Sequence, residues 1–155
     1  MSRSKLLFAI ATFFLSLAQV SAVTANDPTG IWLTQAGDAK IRVNHCGGSL
    51  CGTIVWLKAP IDPATGKPHV DNKNTNPSLA KRSIIGINIF SWMKAVARNK
   101  WSGAIYNADN GKSYSSDVTV AGARKLEVRG CVMSILCGGE TWTKIGDVTL
   151  ADAND

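Results

Sequence analysis

"HCGGSLCGTIVWL" (His45–Leu57) sets two cysteines five positions apart, with a histidine beside the first, glycines between them and an apolar run behind. Four readings compete for it: a metal site, an activated thiol, a phosphate loop and a stapled hairpin. Structural zinc sites use closer cysteine spacing, even if Cys131 and Cys137 supplied two further thiolates. A reactive cysteine needs a base beside it, and in a strand His45 points away from Cys46. Ser49 lacks the second flanking glycine of a nucleophile elbow, because Cys51 stands there. The phosphate loop fails too: "DPATGKP" (Asp62–Pro68) and "NADNGKS" (Asn107–Ser113) share turn chemistry but not the required glycine spacing. The hairpin reading meets no such objection. "GGSL" turns the chain, and cysteines at its two feet lie within bridging distance.

Working outward, the 155-residue chain fits one domain. Its start is set apart. Arg3 and Lys5 precede the uncharged run Leu6–Ala18, and small residues follow before Ala22 and Ala25. Basic residues, a short apolar core and a small-x-small exit define a secretory signal peptide, residues 1–25, with cleavage after 22 or 25. Thirteen residues are too short to span a membrane core of ~30 Å, so no transmembrane segment is expected. The expected location is outside the cytoplasm, in the periplasm.

The charge is +6 for the whole chain. Without Arg3 and Lys5 it is fifteen basic residues against eleven acidic ones, or +4. That favours anionic surfaces mildly and does not argue for nucleic acid. Four cysteines, Cys46, Cys51, Cys131 and Cys137, read as disulfides in an oxidising compartment. Three pairings are possible from sequence alone. Hairpin geometry favours the local one, 46 with 51 and 131 with 137.

The rest alternates with period two between turn residues. The expected strands are Gly30–Thr34, Ala39–His45, Thr53–Leu57, Ile84–Phe90, Trp101–Asn107, Ser113–Val120, Lys125–Cys131 and Glu140–Ile145. "TIVWL" is apolar throughout, so both its faces should be covered. Asn110–Gly111 signals a hairpin turn. Lys58–Arg82, with four of the five prolines, is an irregular loop long enough to be a lid. Ser91–Trp101 mixes apolar and basic residues and reads as a loop with a solvated basic side. The prediction is an all-β domain over 26–146, an eight-stranded antiparallel up-and-down barrel, with an acidic tail over 147–155 that hangs free. A β-sandwich is the alternative. A barrel of eight strands is filled by side chains or holds one small ligand. Trp56, Phe90, Tyr106 and Tyr114 are the candidate ligand-lining residues. There is no cofactor fingerprint, no metal cluster and no carboxylate pair for acid–base work, so no catalytic residue is assigned.

Thr29–Lys144 resembles a family of secreted bacterial proteins, domain of unknown function 2147. The resemblance lies in "GIWLT", "CGGSLCGTIVWLKAPIDPATGKPHVDNKN", "WSGAIYNADNGKSY", "LEVRGC" and "TWTK". It implies a lipocalin-like barrel and no established activity. Gly30 and Trp32 also resemble the lipocalin Gly-x-Trp opening, which implies a structural closure of the barrel end, with Lys144 in place of the usual arginine. "SGAIY" is similar to the Ser-Gly-x-x-Tyr signature of periplasmic lysozyme inhibitors, at Ser102, Gly103 and Tyr106. The leading expectation is a binder of a small, lipid-like molecule. Alternatives are a protein-binding module, such as a cell-wall hydrolase inhibitor, and a small enzyme of unknown reaction.

Overall fold

The computed structural model describes residues 27–133 and 135–148; the expected signal segment and the tail from residue 149 lie outside the described residues. Ten strands follow in order: β1 (Gly30–Leu33), β2 (Ala39–Cys46), β3 (Ser49–Leu57), β4 (Ile61–Asp62), β5 (Lys67–Pro68), β6 (Asn88–Ala97), β7 (Lys100–Asn107), β8 (Lys112–Gly122), β9 (Lys125–Val132) and β10 (Leu136–Gly146). Eight of them close an antiparallel barrel in the order β1-β10-β9-β8-β7-β6-β3-β2. β4 and β5 form a separate small hairpin inside the long loop.

Period-two patterning explains the walls. Ile41 and Val43 on β2, Val118 and Val120 on β8, and Leu126 and Val128 on β9 are buried, while their neighbours face solvent. The strand ends then define two unlike ends of the barrel. One carries the β2–β3, β6–β7 and β8–β9 turns, and large side chains fill it: Trp32, Leu50, Phe90, Met93 and Leu126. Each such side chain contributes about 1.5–3 kcal/mol on burial. The other end carries the β1–β2, β7–β8 and β9–β10 connections and the long segment between β3 and β6.

The β2–β3 turn is Gly47–Gly48, with φ of 53° and 75°. Positive φ at both central residues is the type I′ geometry that matches strand twist, which is why two glycines stand there. Cys46 is bridged to Cys51, and Cys131 to Cys137. The second pair sits directly opposite in the ladder. The first is diagonal, since Cys46 faces Ser49 and Cys51 faces Asn44.

The structure corrects three local expectations. The strand anticipated at Ile84 starts only at Asn88, because Gly86 turns the chain with φ 101° and leaves Ile54 to bond with both Gly86 and Ile87. Ser91–Trp101 is no loop but the β6–β7 hairpin, continued through a bulge where Trp92 has φ 60°. That bulge lays Trp92 outside, against Gly47, where an added Cβ would meet its ring at 2.8 Å. Finally, "TIVWL" is covered on one face only. Ile54 is buried, but Trp56 is exposed on the outer wall, with Lys40 Nζ 4.5 Å above its ring.

Candidate ligand cavity

The filled end leaves space above it. Phe90 lies over Gly52, where an added Cβ would approach the ring to 2.4 Å, and stacks on Trp142 with centroids 6.4 Å apart. Trp142 is the floor of a cavity of about 1160 Å³ that opens at the other end of the barrel. Its wall is apolar, from Ile41, Ile54, Ile89, Ile105 and Val128. Deep in it stands one carboxylate, Glu140, whose Oε1 accepts a bond from Trp142 Nε1 at 2.6 Å. Tyr114 also faces in, its hydroxyl accepting from Asn110 Nδ2 at 2.8 Å. Lys58, His69, Asn72, Lys73 and Asp109 surround the rim. Among the described residues no group of three His, Cys, Asp or Glu could hold a metal ion.

The long loop crosses this mouth and is tied to the barrel by one buried carboxylate. Asp71 is fully buried. It accepts from Tyr106 Oη at 2.5 Å, Asn74 Nδ2 at 2.8 Å and Arg82 Nε at 2.9 Å, with Arg82 Nη2 at 2.8 Å. Arg82 also lies 5.6 Å over the Tyr106 ring. Burial alone would raise the pKa of Asp71, but the bonds from Tyr106, Asn74 and Arg82 and the guanidinium charge outweigh it and hold the carboxyl below its ordinary range. Burial and the Asp71 charge raise the pKa of Tyr106, which keeps its proton in that bond. A second tie joins Gly111, in the β7–β8 turn, to the loop: an added Cβ there would overlap the Lys73 carbonyl oxygen at 1.9 Å. Only glycine fits, with φ 70° as well.

Of the four aromatic residues expected to line a cavity, the structure brings Tyr106 and Tyr114 to it. Trp56 is on the outer wall, because a bulge at Val55, where Ile41 pairs with Ile54 but Lys40 pairs with Trp56, reverses the inside–outside alternation of β3. Phe90 is packed into the slot over Gly52, so Trp142 faces the cavity in its place. Gly30, Trp32 and Lys144 meet at the filled end. Trp32 pairs with Lys144 across β1 and β10, and an added Cβ at Gly30 would lie 2.4 Å from Lys144 Cε. The lysine chain therefore covers Gly30 and its Nζ pairs with Asp147 at 2.6 Å, while the Trp32 indole donates to the Pro28 carbonyl at 2.8 Å. Ser102 donates to Asp117, which also holds Lys100 Nζ at 2.7 Å. The lysine and Ser102 bonds keep the Asp117 carboxyl below its usual range. Ser102 and Tyr106 thus both spend their hydroxyls on internal bonds, and Gly103 packs on Met93. His45 is at the filled end, its Nε2 3.5 Å from Asp27 Oδ1.

Sequence reading missed Asp71, Asn74, Arg82 and Glu140. The tie to Tyr106 joins residues 35 apart, and no periodicity signals such a contact. A single Asp after "HV" in a Pro-rich loop carries no mark of burial. Glu140 had one usable signal: it shares strand parity with Trp142.

The family model described as "Uncharacterized protein conserved in bacteria (DUF2147)" matches residues 30–144. No curated protein matches the chain. Among solved structures, the chain is similar to protein HP1028 from the human pathogen Helicobacter pylori, described as belonging to the lipocalin family. The TM-score is 0.63 and the identity 23%, covering 78% of this chain and 84% of that one. At that identity the likeness speaks for the fold.

Proposed function

Because the chain belongs to the DUF2147 family and folds as a lipocalin-like barrel, we propose that it binds one small apolar or amphipathic molecule inside the barrel. The observation that carries this is the cavity: about 1160 Å³, apolar in its wall, with one carboxylate inside and mixed charges at its rim. That is the size and chemistry of a small-molecule site. A packed core would leave no such space. In this reading the apolar part of the ligand lies against Ile54, Ile89 and Ile105, and its polar end stays at the rim near Lys58 and Lys73. The protein acts as a carrier or sensor rather than an enzyme. It works outside the cytoplasm, to which two disulfides and the apolar leader both point.

The test is a fluorescence titration with a dansyl-labelled fatty acid kept below its micelle concentration. Saturable blue-shifted binding is expected, weakened roughly tenfold or more when Ile105→Trp fills the cavity. Absence of binding, or equal binding by a correctly folded Ile105→Trp chain, would defeat the reading. Inhibition of a lysozyme remains the competing proposal. It has little support in the geometry, since Ser102 and Tyr106 are engaged internally.

A further inference from the structure

The β9–β10 hairpin ends in a tip that breaks the ordinary rules for such a turn. Val132, Met133, Ile135 and Leu136 are 44%, 86%, 81% and 75% exposed. Hairpin tips normally carry Gly, Asn or Asp, which solvate well and adopt the turn geometry. Met133 instead takes φ 51° with a large apolar side chain. The Cys131–Cys137 bridge lies directly beneath and holds the tip closed.

Three observations say what covers it. First, Val132 and Leu136 face each other across the hairpin and also line the cavity. Apolar surface therefore runs without a break from the tip into the barrel mouth. Second, the open end carries a modest excess of basic residues. Its loops and strand ends hold Lys58, Lys67, Lys73, Lys81, Arg82 and Lys112 against Asp38, Asp62, Asp71 and Asp109, and Arg82 and Asp71 neutralise one another. Third, the patch is small. Four side chains at a tip fall far short of the ~20–30 residues a side of a stable protein interface. They suffice for shallow insertion into a bilayer, where apolar side chains enter and lysines meet anionic headgroups.

We propose that the Val132–Leu136 tip docks the barrel on an anionic lipid bilayer, mouth down, so that the cavity exchanges its ligand with the membrane. The docking rests on the reading of the cavity as an amphiphile site only for its purpose; the two are separately measurable.

Vesicle flotation tests it, using the soluble exported product of the full-length chain. Co-flotation is expected with vesicles of phosphatidylglycerol and phosphatidylethanolamine, and much less with phosphatidylcholine alone. Met133→Asp/Ile135→Asp should lower partitioning by more than roughly tenfold, since each charge opposes insertion. Val96→Asp, exposed near the opposite end, should leave it unchanged. Thermal melts confirm that each variant is folded. Docking is overturned if the wild type stays in solution with anionic vesicles, if the double variant floats equally well, or if the tip instead makes a dimer that the double variant abolishes. The dansyl titration is run on the same samples. Flotation without probe binding would keep the docking and remove the cavity reading. Probe binding without flotation would do the reverse.

Discussion

Asp71 shows how one side chain can govern a segment. It draws Tyr106 from β7 and Asn74 and Arg82 from the loop onto two oxygens. Asp71→Asn would remove the charge and leave the Arg82 guanidinium short of its partner, a cost of about 1–3 kcal/mol felt mainly by the loop. Faster hydrogen exchange over residues 58–87, with β8 and β9 unchanged, is the expected result. The pH dependence has a definite sign. The folded pKa of Asp71 lies below its unfolded value, so its contribution is complete above about pH 5. It is lost only as the pH falls through the folded value. Loop release with a midpoint well above pH ~5 would contradict this. Gly52 makes a simpler case. A methyl group there would meet the rigid Phe90 ring at 2.4 Å, so Gly52→Ala should destabilise the barrel by about 1–3 kcal/mol in urea denaturation. An unchanged midpoint would mean that Phe90 is free to move.

The two disulfides look alike in sequence and act at opposite ends of the elements they join. Cys46–Cys51 fastens the β2–β3 turn at the filled end, and Cys131–Cys137 holds the β9–β10 tip at the mouth. Each closes a loop short enough to contribute about 2 kcal/mol in the chain-entropy account. Replacing Cys131 and Cys137 by serine should lower the melting temperature by roughly 5–10 °C. The same change should loosen the tip while leaving exchange in β2 and β3 unaffected. Strands were the legible part of this sequence. β2, β8 and β9 alternate cleanly, and the predicted limits of these three and of β7 differ from the observed ones by a residue or two. Irregular backbone was not legible. Gly86 delays β6, and Trp92 hides a bulge, because each replaces alternation with a positive φ that sequence pattern does not encode. The β4–β5 hairpin is only two residues deep on each side, too short to show a period.

On the scale of the whole molecule, the division into a filled end and an open end follows from side-chain size along each strand. Trp32, Leu50 and Met93 occupy the filled end, while isoleucines and Val128 line the wall above. Closure of eight strands was readable from pattern. Which aromatics face inward was readable only in part: Tyr114 followed from parity within β8, whereas Phe90 and Trp56 depended on the Gly52 slot and on the bulges beside β3. The apolar tip was written openly in the sequence as "CVMSILC", a hairpin turn with one serine and no Gly, Asn or Asp. Its meaning needed the cavity beside it. Native mass spectrometry of the protein, purified gently from its own cell, tests the central claim most directly. A complex heavier than the bare chain by the mass of one lipid-sized molecule is predicted, and the Ile105→Trp chain should lose it. A bare mass for the wild type under conditions that preserve non-covalent complexes, or an adduct that survives Ile105→Trp unchanged, would contradict the account.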